Sequence, residues 1–389
     1  MRVAHIITRM IVGGAQENTL FNCLDLQHDY GDEVLLITGP ALGPEGDLLV
    51  REKDVIQQLR IEYVQRLCRE INPIKDLQAF LALRQRLKEF APDVVHTHSA
   101  KAGVLGRAAA SSLGVPAVVH TIHGAPFHAY QSAISRRVFQ ISERWAASRC
   151  GRMISVADAM TDLMVDAGVA SPSKFTTIYS GMNVEPFLES SRYRETVRRE
   201  FGLEEHHVVI GKIARLFHLK GHYDVIQAAK ELVLEIPDVR FLFVGNGVLK
   251  QSLESEIQDS GLQEHFIFTG LVDPVEVPRL IAAMDIVVHA SYREGLARAL
   301  PQALISGIPV VSYDIDGARE VVINGQTGSL IPPGDIRELS NAMTRLGKDP
   351  ALRTQYGLAG RRRFTEQFRH QEMTRQIRAL YQDLLGKVD

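Results

Sequence analysis

Cysteine is nearly absent from this 389-residue sequence: Cys23, Cys68 and Cys150 are the three, with no close pair among them. That excludes a disulfide framework or a zinc ribbon and fits a reducing compartment. Charge of one sign is missing as well. With 44 Lys and Arg against 46 Asp and Glu the formal net charge is -2, so no nucleic-acid partner is expected. No run approaches the ~20 apolar residues that a bilayer-spanning helix needs, so any membrane contact should be peripheral. The opening "MRVAHIITRMIVGGAQ" holds a short apolar run, but Arg9 interrupts it and no secretory cleavage pattern follows; it reads as a first strand. A cytoplasmic location is the expectation. Low-complexity tracts and short-period repeats are lacking too, and no signature of a particular oligomer is read. What is present, 45% hydrophobic and 23% charged residues, is globular composition at a length that suits two domains.

Short β-type runs alternate with helix-length segments almost from the start. Residues 3–7, 33–38, 61–65, 93–98, 116–123, 152–156 and 174–179 read as strands. Between them lie stretches such as 74–90, with Leu77, Phe80, Leu81, Leu83, Leu87 and Phe90 at helical spacing. Residues 180–206 interrupt the pattern with a Ser-Gly turn, a proline and many charges, which places a domain boundary near 186. The alternation then restarts at 207–214, 239–245, 265–270, 285–290 and 308–313. Fold class α/β follows: two doubly wound Rossmann-like domains, 1–186 and 187–365, facing a cleft, with the chemistry after the strands.

The chemistry-bearing residues do fall there. Gly13 and Gly14, between the first strand and first helix, would let backbone N–H groups approach an anion, although a tight turn explains them equally well. The dinucleotide Gly-x-Gly-x-x-Gly fingerprint is not present. His96 and His98 share one face of a strand, and His123 ends the next. His96 and His120 read as satisfied strand residues, while His98 and His123 are candidates for the cleft. Arg215 and Lys220 follow the first strand of the second domain, placed to meet phosphates. Asp314 and Asp316 read as turn and N-cap carboxylates, so no divalent metal is expected. Glu294 is expected at a helix start, with the N–H groups of Gly295, Leu296 and Ala297 beside it and Gln302 two turns on along one face.

Taken together, "GGAQ", "VVHTHSAKAGVLGR", "HTIHG", "ISVADAM", "ARLFHLKG", "FVGNG", "FTG", "SYREGLARALPQALISGIPVV" and "DGAREVVINGQTGSLIPPGD" resemble a GT-B fold glycosyltransferase of the retaining family 4 over nearly the whole chain. The resemblance implies that the final segment, about 366–389, packs back on the first domain. It implies that Arg215 and Lys220 bind the donor diphosphate, that Glu294 holds donor-sugar hydroxyls, and that Gly295, Leu296 and Ala297 lie at the sugar or phosphate. His123 would contact the sugar, with His98 and Lys101 on the acceptor side. Gly13, Gly14, Gly245, Gly270 and Leu271 would line the donor. Gln302 stands where the family has a second glutamate that binds ribose; its amide oxygen still accepts, at lower strength than a carboxylate. The implied activity is transfer of a sugar from a nucleotide diphosphate, with a UDP-sugar favoured over a GDP-sugar, to a sugar or lipid-linked hydroxyl acceptor. No further cofactor is implied. In that mechanism the departing diphosphate takes the acceptor proton, so one acid suffices where hydrolysis would need two.

Two rivals are a nucleotide-sugar epimerase of similar fold and a non-catalytic two-domain sugar-binding protein; the lack of an export signal argues against the second. Residues 134–152 carry five arginines against one glutamate, with Phe139, Ile141 and Trp145 interleaved. A peripheral membrane helix is one reading. A core-facing helix with a solvated basic face is the reading preferred from sequence.

Overall fold

The computed structural model describes residues 1–43, 46–128 and 131–386. The chain divides into two compact units, Met1–Met182 with Gln367–Asp389, and Asn183–Glu366. The first crossing thus falls slightly ahead of the 186 read from the sequence, and the last residues of the final segment, 387–389, lie outside the described ones.

In the first unit, seven strands form one parallel sheet: β1 (Arg2–Arg9), β2 (Glu33–Gly39), β3 (Arg60–Tyr63), β4 (Val94–His98), β5 (Ala117–Ile122), β6 (Arg152–Ser155) and β7 (Phe175–Thr177). Their order is β3-β2-β1-β4-β5-β6-β7. β1 is buried from Val3 to Thr8, which is why it reads as a continuous apolar run rather than an alternating one. The Pro73–Phe90 helix starts where the Asn72 side chain accepts from Lys75 N–H and Pro73 takes the first helical position, and it ends at Ala91 in the left-handed region. Ala79, Leu83, Leu87 and Phe90 face the core. Leu77 and Leu81, which the spacing assigned to the same stripe, face outward.

The His370–Leu385 helix belongs to this unit. Met373, Ile377 and Tyr381 enter the core beside Val3, Ile7, Val94 and Val119. Burial of each such side chain stabilises by roughly 1.5–3 kcal/mol. Polar contacts set its position: Thr374 Oγ1 accepts from Asn22 at 3.1 Å, and Arg378 pairs with Asp32 at 2.9 Å.

The second unit holds a six-stranded parallel sheet: β8 (Val208–Ile213), β9 (Val239–Val244), β10 (Phe266–Gly270), β11 (Ile286–His289), β12 (Val310–Tyr313) and β13 (Gly328–Ile331), ordered β10-β9-β8-β11-β12-β13. β13 escaped the sequence reading, because "GSLI" is four residues at a sheet edge between the turn-forming "NGQT" and Pro-Pro. Residues 180–206, which read as a linker leading into a surface helix, contain the Arg194–Glu200 helix, anchored on this unit by Arg194 and Arg198, which grip the two oxygens of Asp285 at 2.6 and 2.8 Å. In each sheet the strand order reverses between two neighbours, β1 and β4 in the first and β8 and β11 in the second. Such switch points leave a crevice at the carboxyl ends of the strands.

Candidate functional site

Lys220 follows β8 and Glu294 follows β11, so both stand at the switch point of the second sheet. The two loops are tied together: Leu219 O accepts from Tyr292 N–H at 2.8 Å, and Tyr292 Oη donates to Asp224 at 2.6 Å. Gly221, at φ 64°, passes so close to β11 that a Cβ there would sit 1.8 Å from Ala290 O. Only glycine fits. The result is an ion pair between Lys220 Nζ and Glu294 Oε1, with His289 Nε2 3.5 Å from the same oxygen. Burial by itself would raise the Glu294 carboxyl; the hydrogen bond and charge of His289 and the charge of Lys220 outweigh it and bring the pKa down to about 2. The carboxylate is therefore ionised at neutral pH and too weak a base to abstract protons. It can bind and orient.

Three residues below this pair were not singled out from the sequence. Lys212 on β8 is fully buried, and its Nζ has no partner among the described residues. Burial, then the nearby Lys220 ammonium, lower its pKa to about 7. His222 is buried with neither ring nitrogen bonded among the described residues, and its pKa falls to about 2, chiefly by burial. Burial likewise lowers His289. Unmet polar atoms in a protein interior are costly and call for an explanation. Here they cluster beneath the Lys220–Glu294 pair. A signal existed in the sequence: a lysine in the middle of the apolar run "VVIGKIA" has no reason to be there on packing grounds.

The other expected residues of this unit fall as follows. Arg215 is exposed at the end of β8, its guanidinium 5.1 Å from the Phe217 ring centroid. At Gly245, which follows β9, an added Cβ would meet Ala214 O at 2.2 Å, so close packing of two loops already requires this glycine. Gly270 ends β10 and gives its carbonyl to Gly245 N–H at 3.1 Å; Leu271 beside it is exposed. Glu294, Gly295, Leu296 and Ala297 lie in a loop, since the helix begins only at Ala299. Glu294 is therefore not a helix-start residue, and the helical-wheel argument that set it on one face with Gln302 does not apply across a non-helical stretch. Gln302 is half-buried in Ala299–Ile305, and Pro301 occupies the first turn, where a missing N–H costs nothing. Asp314 is held by Arg319 through two contacts of 3.0 and 2.9 Å. Asp316 accepts from Glu294 N–H at 2.7 Å. Neither caps the following helix, whose N-cap is Gly317.

In the first unit, Gly13 and Gly14 form the turn into the Gly14–His28 helix. The histidines make a row. His98 Nε2 lies 3.0 Å from His5 Nδ1, and His98 Nδ1 lies 3.1 Å from His123 Nε2. His98 is wholly buried with both nitrogens engaged, so it stands behind His123 and offers nothing to an acceptor. His123, just past β5, is half-buried, and burial lowers its pKa to about 4. His96 bonds Tyr381 Oη and Thr121 Oγ1 at 2.5 and 2.7 Å, and His120 Nδ1 lies 2.9 Å from Thr97 Oγ1, as befits satisfied strand residues. Ring nitrogens of His5, His96 and His98 lie within 4.8 Å of one another, a spacing that could suit a metal ion. Hydrogen bonds already account for most of those nitrogens. Lys101 is committed as well: its ammonium pairs with Asp76 at 2.6 Å and donates to Glu70 O at 2.5 Å.

Residues 193–363 match the family described as "Glycosyl transferases group 1", and residues 18–181 match the "Glycosyl transferase 4-like domain". The sequence is 30% identical over 90% of this chain to the Escherichia coli UDP-Gal:alpha-D-GlcNAc-diphosphoundecaprenol alpha-1,3-galactosyltransferase, 89% of which is covered. It is 27% identical over 72% of the chain to the 2-deoxystreptamine glucosyltransferase of Streptomyces kanamyceticus, with 74% of that protein covered. Among solved structures, Anabaena HepE in complex with UDP superposes with a TM-score of 0.82 at 21% identity, covering 98% of this chain and all 100% of that one. Sucrose-phosphate synthase from Thermosynechococcus elongatus gives 0.83 at 19% identity, covering 100% of both chains. Both likenesses concern the fold, two parallel-sheet Rossmann-like units with helices.

Proposed function

The chain belongs to the group 1 glycosyl transferases, of GT-B fold, and from that premise we propose that it moves a sugar from a UDP-sugar to a hydroxyl acceptor with retention at the anomeric carbon. The acceptor belongs to cell-envelope polysaccharide, lipopolysaccharide or glycolipid synthesis, a reading supported by relatives such as the diphosphoundecaprenol-linked galactosyltransferase. A UDP donor is supported by the UDP and UDP-glucose complexes of the Anabaena neighbour.

One observation carries the reading: an ionised carboxylate and an ammonium, Glu294 and Lys220, tied together at the switch point of the second sheet. Lys220 and Arg215 stabilise the diphosphate as charge grows on it. Glu294 accepts from hydroxyls of the donor sugar, Gln302 accepts from the ribose, and Gly295, Leu296, Ala297, Gly270 and Leu271 border the donor. His123 contacts the sugar. Because Glu294 is too weak a base to take the acceptor proton, that proton goes to the departing diphosphate oxygen.

The experiment pairs UDP binding with turnover. UDP should raise the thermal midpoint of the chain, by an amount that grows with the logarithm of its concentration above Kd. Glu294→Gln should retain UDP binding while turnover with a UDP-sugar and acceptor falls by roughly 10² or more. Full turnover in that variant refutes the role given to Glu294. No response to UDP refutes the donor.

A further inference from the structure

The Ala133–Ala147 helix has two apolar faces, and only one is used inside the fold. Ala146 and Ala147 are buried, and Glu143 on the same side forms a buried ion pair with Arg107 at 2.8 Å. The opposite side carries Ile134, Val138, Ile141 and Trp145, which are 79%, 52%, 54% and 45% exposed. At 100° per residue these four fall within an arc of about 60°. The sequence reading expected a solvated basic face here. The outward face is instead an apolar stripe, with basic groups along its margins: Arg137 and Arg144 are exposed, and the Arg149 guanidinium lies 3.7 Å above the Trp145 ring. No carboxylate pairs with Arg136 or Arg137 among the described residues.

The apolar surface continues beyond this helix. A groove lined by Leu77, Phe80, Leu105 and Trp145 leads to the Pro73–Phe90 helix, whose Ile74, Leu77 and Leu81 are 72%, 59% and 55% exposed. Asp76 on that helix is neutralised by Lys101. An apolar patch of this extent normally marks an interaction site.

We propose that this face docks the first unit on an anionic lipid bilayer. Charge complementarity selects the occupant: apolar anchors edged by Arg137, Arg144 and Arg149, none of them paired with a carboxylate among the described residues, match an acyl layer under negatively charged headgroups. Arginine stems lie along the apolar surface while their heads reach phosphates, and tryptophan favours that boundary. The contact is peripheral, since no helix among the described residues is long and apolar enough to cross a membrane. It gives the proposed acceptor a physical class, one presented from a membrane surface. The docking itself rests on these two helices and not on the donor reading.

Trp145 is the only tryptophan in the chain, so its emission reports this face alone. With the full chain and vesicles of equimolar phosphatidylglycerol and phosphatidylcholine, its emission should shift to the blue and be quenched by brominated acyl chains. Binding should weaken in high salt and on pure phosphatidylcholine. Ile134→Glu with Ile141→Glu, both at exposed positions, should lower vesicle affinity at least about tenfold while UDP binding is unchanged. Absence of any shift or quenching with anionic vesicles overturns the proposal. So does a shift that appears without vesicles and grows with protein concentration, the mark of a second copy on the stripe. UDP binding in the same samples keeps a failure of docking distinct from a failure of the donor reading.

Discussion

Lys212→Met removes a buried amine and keeps its apolar stem, and the structure sets the size of the effect. The amine has no partner among the described residues, and its pKa falls from 10.5 to about 7 on folding. At about 1.4 kcal/mol for each pH unit, that gap is a cost to the fold of at most about 5 kcal/mol. Between pH 7 and 10.5 the unfolded chain binds the proton and the folded one does not, so stability rises with pH across this window. The cost is complete below about pH 7 and gone by 10.5. Methionine has no such term. The variant should therefore be more stable than the parent by a few kcal/mol at neutral pH, less whatever is lost with the attraction of Lys212 to Glu294 and Asp224. The advantage should shrink steadily as pH rises. Thermal midpoints of both proteins at three pH values between 6.5 and 9.5 provide the test, because titrations elsewhere cancel in the difference. A gap that is constant with pH, or a variant less stable at neutral pH, refutes the claim that the amine is buried without a partner.

Gln302→Ala should raise the donor Michaelis constant by the equivalent of one or two neutral hydrogen bonds, about 0.5–1.5 kcal/mol each, with little change in turnover, and Gln302→Glu should keep activity; a turnover collapse in the alanine variant refutes the ribose role. Activity should survive exhaustive chelation with EDTA, because Arg319 and the Glu294 amide occupy Asp314 and Asp316; loss restored by magnesium or manganese refutes this. Truncation after Glu366 should expose the core around Tyr381 and His96 and melt the first unit, leaving the second intact; limited proteolysis that spares the first unit's fragments contradicts that assignment.

The strands were legible because a parallel sheet covered on both faces turns each strand into an apolar run that sequence shows directly. β13 lacked that signature, being short, at an edge and only half covered. Helix faces were less legible. The spacing of Leu77, Leu81, Leu83 and Leu87 is one pattern in sequence and two faces in space, and the stripe through Ile134 and Trp145 points away from the core for the same reason. Lys220 and Glu294 could be named from their positions after strands, but their pairing depends on strand order, which joins β8 to β11 across more than seventy residues of chain. Lys212, His222 and His289 gather by the same long-range route. The lysine inside β8 stands out in the sequence, but the groups it meets are known only once β11 and the loop after β8 are placed beside it.

The row formed by His5, His98 and His123 behaves like a switch with two settings. Burial holds all three neutral, so each ring owns one proton, and each of the two nitrogen-to-nitrogen contacts needs one proton between its atoms. Only two arrangements satisfy both contacts. In one, every proton points away from His5, and His123 is left with its N–H on Nδ1. In the other, every proton points toward His5, whose buried Nε2 then carries a hydrogen with nothing among the described residues to receive it. A stranded donor of that kind is rare in proteins, which favours the first setting. A single choice made inside β1 is thus copied through two further rings, and the hydrogen that His123 presents is written by a residue that never reaches the surface.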